Sequence, residues 1–270
     1  MGKITLSSCE ILYLSTIAGA TEFMGIPDGF YGMDELEIKQ EILKIHADLE
    51  KRRYAQTDFD GNFEASAEVM QLIEICALCE KYISVDKTSA ASGATKLLFY
   101  FYNNNIVKID EVAGKFELTL AQPADIGKSI LENISWLEHI KENADGKVVI
   151  PQSLLEQVKD TANSEFSEKA GEDALNKVGC TNGQAKIIYS GLVGTANYIS
   201  VIIVDFTSQE NDVMSIMVVN SSTGSLELLP VDIDEKAAIE FRTIDYDMFK
   251  NKLTAALATI GILDGGGDFE

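Results

Sequence analysis

Along the first third of the chain, apolar residues recur every three to four positions, the period of a helix with one buried face. Ser7-Ser8 cap a predicted helix over 9–19, with Ile11, Leu12, Leu14 and Ile17 on its apolar side. After the turn Gly25-Ile26-Pro27-Asp28-Gly29, a second helix is predicted over 34–53, with Leu36, Ile38, Ile42, Ile45 and Leu49 as its apolar stripe. Glu41 and Lys44 place opposite charges on its wet side. Asp58-Phe59-Asp60-Gly61-Asn62 reads as a turn, followed by a third helix over 64–82 with Val69, Leu72, Ile73, Cys76 and Leu78 inside.

The period then changes from 3.6 to 2. Strands are predicted over 96–102, 106–112 and 116–120, separated by turns at Asn103-Asn104-Asn105 and Ala113-Gly114-Lys115. Pro123 opens a helix that ends between 136 and 139. The second half repeats this grammar. Helices are expected over 151–162 and 167–178, strands over 186–192, 198–206, 213–220, 225–231 and 238–243, and a last helix from the Asp245 cap to about 260. The segment 264–270, with three consecutive glycines, reads as a flexible tail.

The strand 116–120 and its helix with Ile126, Ile130 and Ile134 resemble the strand 239–243 and its helix with Phe249, Leu253 and Leu257. Either the chain is a pseudo-repeat of two α+β halves, or strand–turn–helix recurs by chance. The repeat predicts an α+β fold of two pseudo-symmetric halves, 1–140 and 141–263, with a tail over 264–270. The boundary falls in the polar stretch 141–151, which carries the turn Asp145-Gly146. The strands 198–206 and 213–220 are apolar on both faces, which implies a central sheet covered on both sides by helices or by a partner.

Charge narrows the choice of function. The 270 residues carry 22 Lys and Arg against 43 Asp and Glu, a net −21 at pH 7, and the densest basic run is only Lys51-Arg52-Arg53. A phosphate backbone or an anionic membrane would be repelled, so nucleic acid is not an expected partner. The apolar stretch 11–14 is preceded by Glu10, which is not a signal-peptide pattern, and no run reaches the roughly 18 apolar residues that span a bilayer. Membrane insertion is therefore not expected. The expected location is the cytoplasm, with the four cysteines reduced.

No motif in the chain carries a complete chemistry. Cys76-Ala77-Leu78-Cys79 has redox or zinc spacing, but it falls within a helical stripe, and the two histidines, His46 and His139, do not complete a zinc quartet. Asp58-Phe59-Asp60-Gly61 fails the calcium-loop frame, because Gln56 and Ala67 stand where its first and last ligands belong. Gly191-Leu192-Val193-Gly194 lacks the third glycine of a dinucleotide loop and the lysine of a phosphate loop. No catalytic residue, cofactor site or metal site is assigned. A carboxylate-based enzyme stays open as one reading.

The aromatic strand is more informative. Leu97, Phe99 and Phe101 share one face, and Leu98, Tyr100 and Tyr102 the other. Tyrosines suit a wet or interfacial face, because the ring is apolar and the hydroxyl polar. The expected partner-binding residues are therefore Tyr100, Tyr102, Asn103, Asn104 and Asn105, with the turn residues Gln209, Glu210 and Asn211.

The N-terminal pattern resembles a known family. An apolar first helix, a linker with Ile26-Pro27, a long helix ending Leu49-Glu50-Lys51-Arg52, the Asp58-Phe59-Asp60-Gly61 turn and a helix leading into a β-meander are similar to EspG-type proteins of ESX (type VII) secretion systems. The likeness covers about 8–135 in pattern and the rest in architecture. It implies an α+β fold with two pseudo-symmetric halves, a central antiparallel sheet and flanking helices. It also implies a cytosolic, non-enzymatic chaperone or adaptor whose partner is a helical secretion substrate. The acidity supports a second reading, an immunity or antitoxin-like protein that masks a basic toxin.

Overall fold

The computed structural model describes residues 2–20, 23–89, 93–137, 146–162, 168–207 and 212–262. In chain order the first half contains β1 (Ile4–Leu6), α1 (Ser8–Ile17), α2 (Glu35–Lys51), β2 (Ala55–Thr57), β3 (Phe63–Ala65), α3 (Ala67–Ala77), β4 (Lys81–Ser89), β5 (Gly93–Tyr102), β6 (Asn105–Val112), β7 (Lys115–Leu120) and α4 (Pro123–Ile134). The second contains β8 (Lys147–Pro151), α5 (Gln152–Ala162), α6 (Glu168–Lys177), α7 (Asn182–Leu192), β9 (Asn197–Asp205), β10 (Asp212–Ser221), β11 (Gly224–Ile233), β12 (Lys236–Thr243) and α8 (Tyr246–Thr259). The class is α+β, an antiparallel sheet of ten strands with flanking helices, and β2 and β3 form a separate hairpin.

The two halves follow one plan. Each begins with a short strand, continues through three helices, makes a four-strand meander and closes with a helix. The strand orders are β1-β7-β6-β5-β4 and β9-β10-β11-β12-β8, so in each half the opening strand pairs with the last strand of the meander. Ile4 lies opposite Leu118 in one half and Ile150 opposite Ile239 in the other, both antiparallel. The closing helices also correspond, since Ile126, Ile130 and Ile134 of α4 and Phe249, Leu253 and Leu257 of α8 are all fully buried.

By contacts the chain separates into two units, Met1–Ser84 with Leu97–Asp125 and Val204–Asp212, and Val85–Lys96 with Ile126–Ile203 and Val213–Glu270. The first is built on Leu6, Leu14, Leu49, Leu72, Ile83, Phe99 and Leu118, all closed to solvent. In the second, α5, α6 and α7 bury Leu155, Val158, Leu175, Ile187 and Ile188 in one cluster with Val148, Ile150, Val219, Leu226 and Phe241 of the strands.

Local chemistry sets the helix starts. Ser7 and Asp34 each accept the backbone N–H of the residue three places on, and Glu10 and Glu37 return the bond to the cap. Asp245 caps α8 through the Met248 N–H at 2.8 Å. The 186–192 strand expectation is corrected, because this segment is the end of α7. Thr181 and Gln184 close a reciprocal capping box at 3.2 and 3.0 Å, which fixes a helical register that the β-branched Ile187-Ile188 alone do not reveal. The third helix is shorter than expected, and Lys81–Ser89 is a strand. Leu36 leaves the predicted stripe of α2 and is 64% exposed, while Ile45 and Leu49 are buried. The expected tail lies outside the described residues.

Candidate interaction surface

Two-residue loops connect β5 to β6, β6 to β7, β10 to β11 and β11 to β12. In the β5–β6 hairpin Tyr102 pairs with Asn105, and both Asn103 and Asn104 take positive φ, 48° and 62°. This is the geometry of a hairpin turn whose twist matches the strands, and asparagine tolerates it better than most side chains. Asn105 Nδ2 donates to the Asn103 carbonyl at 3.0 Å. Asn103, Asn104 and Asn105 are exposed and Tyr102 is half-buried.

Tyr100 differs from the wet-face expectation. It is fully buried, its ring lies against Phe23 and Tyr82, and its hydroxyl donates to the Met24 carbonyl at 2.5 Å. The loop that carries Met24 lies on this face and removes it from solvent. Gly25, at φ +75°, approaches so closely that a Cβ would collide with the Tyr82 hydroxyl and crowd Leu98. Burial pushes the Tyr100 phenol well above its ordinary range. Gln209, Glu210 and Asn211 lie outside the described residues.

The motif residues take plain structural places. Asp58 Oδ1 accepts the N–H groups of Asp60 and Asn62, both at 2.8 Å, at the tip of the β2–β3 hairpin. Cys76 is buried on α3 and Cys79 follows that helix, and burial pushes the Cys79 thiol up to about 11. Gly191-Leu192-Val193-Gly194 is the end of α7 and the turn after it.

A groove in the second unit was not visible in the sequence. Its volume is about 490 Å3, and its walls are Leu155 of α5 and Leu192 of α7, above a floor of strand residues. The floor follows from register. Met217 lies opposite Leu228, and Pro230 opposite Ile239. Leu226, Leu228 and Pro230 alternate onto the same face of β11. Leu226 lies in the helix-covered cluster, whereas Leu228 and Ile239 are only partly buried against it. The sheet thus outruns its helical cover.

The strand ladder beside this floor ends at a proline. The β10–β11 ladder runs from Ser221 opposite Gly224 to Met217 opposite Leu228 and stops there. Two residues on, Pro230 has no N–H to continue it. Tyr198 stands at the groove, 37% exposed, and donates its hydroxyl to Met217 Sδ at 3.3 Å. Partial burial pushes its phenol up. Gln152, Glu156, Lys159 and Asp232 supply the polar lining. An apolar floor with a polar rim is the composition of a site that buries side chains of a partner. The sequence signals, read in hindsight, are Pro230 inside an apolar strand and Tyr198 at the start of another.

In fold the chain is similar to EspG5, a Mycobacterium tuberculosis type VII secretion system chaperone solved in complex with a PE25–PPE41 dimer. The TM-score is 0.60 over 99% of each chain, at 10% sequence identity, so the likeness is one of fold. No protein-family model and no curated protein matches the sequence. Among the described residues no helix is long and apolar enough to cross a membrane.

Proposed function

We propose that this protein is a cytoplasmic, non-enzymatic chaperone or adaptor that binds a helical substrate of a type VII secretion system. The observation that carries the reading is the end-to-end likeness to a chaperone of such a system, which spans both halves. The groove over Leu228, Pro230 and Ile239 supports it, because it offers an apolar floor to the apolar ridge of a helix. The β5–β6 turn, Tyr102 with Asn103, Asn104 and Asn105, is proposed as a second contact, together with Gln209, Glu210 and Asn211.

The test is affinity capture from the native cytosol with tagged protein at low and high salt, with mass-spectrometric identification. A helical secretion substrate retained at both salts supports the proposal, since apolar burial is not screened. Tyr198→Ala with Met217→Glu should abolish capture and leave the thermal melt nearly unchanged. Recovery of a basic protein only at low salt would overturn it in favour of acidic masking, which the charge of −21 favours.

A further inference from the structure

Helix α2 has two apolar faces, and only one of them is used. Ile38, Ile42, Ile45 and Leu49 face inward, with Ile45 and Leu49 buried. On the opposite side Leu36 and Leu43 are 64% and 68% exposed, and Gln40 and Ala47 are exposed with them. The order Leu36, Gln40, Leu43, Ala47 has spacings of four, three and four, which is the seam of a two-helix coiled coil. A helix on a globular surface ordinarily presents charge there.

The charges beside the seam select what can cover it. On one flank stand Glu37 and Lys44, and on the other Lys39 and His46. An identical helix laid antiparallel, with Leu36 over Ala47 of the second copy and Gln40 over Leu43 of the second copy, brings Glu37 to Lys44 of the second copy. Two-fold symmetry makes that pair twice. A parallel arrangement instead sets Lys39 against Lys44 of the second copy, which repels. Lys44 is exposed and already turned along the surface to Glu41 at 2.9 Å.

We infer that the outer face of α2 is a self-association surface, covered by α2 of a second copy of this chain in an antiparallel, two-fold arrangement. This goes beyond the chaperone reading and does not depend on it. The seam runs about 18 Å, from twelve residues at 1.5 Å each. One helix pair of that length buries less than the roughly 800 Å2 per partner of a standard interface, so the dimer is weak and concentration-dependent. Two copies at −21 each also repel, and salt shortens the reach of that repulsion from about 10 Å at 0.1 M to about 3 Å at 1 M.

Sedimentation equilibrium on the full chain tests this, from micromolar to about 0.5 mM protein, a range that reaches interfaces below standard size. The expected result is a concentration-dependent rise from 29.5 kDa toward twice that mass, stronger at 0.5 M salt (an about fourfold Debye shortening from 0.03 M) than at low salt. Leu43→Lys, at an exposed position that keeps the fold, should weaken the dimer more than about a hundredfold, because it removes two buried leucines per dimer. Lys44→Glu should weaken it about tenfold, and adding Glu37→Gln, which keeps the capping arm of α2, should recover part of that. A monomer at every concentration and salt would overturn the inference, and so would a dimer that Leu43→Lys leaves intact.

Discussion

At the scale of single residues, the clearest interaction is a charge held at the edge of the sheet. Arg52 forms an ion pair with Glu10, whose side chain is only 8% exposed, and donates through Nη1 to the Thr5 carbonyl of β1 at 2.6 Å. Glu10 also accepts the Ser7 N–H at 2.8 Å as the return arm of the α1 cap. One guanidinium therefore joins the end of α2, the start of α1 and a strand only three residues long. Removing it leaves a buried carboxylate without its cation. Arg52→Ala should destabilise the protein by about 3 kcal/mol, and Arg52→Ala with Glu10→Gln should recover part of that, because the unpaired charge is gone. Urea denaturation of the three proteins checks this. A double variant no more stable than the single one would show that the hydrogen bond to Thr5, and not the charge, matters. The sequence placed Lys51-Arg52-Arg53 at a helix end, but nothing local shows that Arg52 reaches back to Glu10.

At the scale of elements, caps and turns were legible and long-range pairing was not. Ser7, Asp34 and Asp245 start helices where the sequence placed them, because a cap acts on a backbone N–H only two or three residues away. The β5–β6 turn appears at Asn103-Asn104 for the same reason. The strand expected over 186–192 is the instructive miss, since the Thr181-x-x-Gln184 box that makes α7 was present in the sequence. Its weight is testable. Thr181→Ala should cost about 1 kcal/mol and lower the melting temperature by about 2–4 °C, read by circular dichroism. An unchanged melt would mean that packing of Ile187 and Ile188 alone holds the helix. The short strands β1 and β8 carried no such local signal. They exist because β7 and β12 offer edges to them, more than a hundred residues away in the case of β1.

At the scale of the molecule, sequence halves and contact units do not coincide. Helix α4 precedes residue 140, yet from Ile126 onward it belongs to the second unit, and Val204–Asp212 belongs to the first. Leu137 is held in that second unit by Asn220, whose side chain accepts its N–H at 2.8 Å and donates to its carbonyl at 3.2 Å. We propose that 1–140 and 141–263 are repeats of one plan and not separately folding domains. Each fragment expressed alone should fail to give a cooperative melt, whereas the two expressed together should. A sharp two-state transition for either fragment alone would refute this.

The sequence by itself determined the α+β class, most helix starts, the turns after β5 and β6 and the correspondence between the two closing helices. All of these rest on interactions within a few residues or on periodicity along one element. Tertiary structure alone decided which faces were covered. Tyr100 has the sequence context of a wet face, but the Met24–Gly25 loop closes over it. Of the two apolar sides of α2, the one with Ile45 and Leu49 turns inward and the one with Leu36 and Leu43 stays exposed. The groove beside Pro230 exists because the helical layer ends before the sheet does. Burial depends on which distant segment arrives to exclude water, and no pattern internal to a strand or helix contains that information.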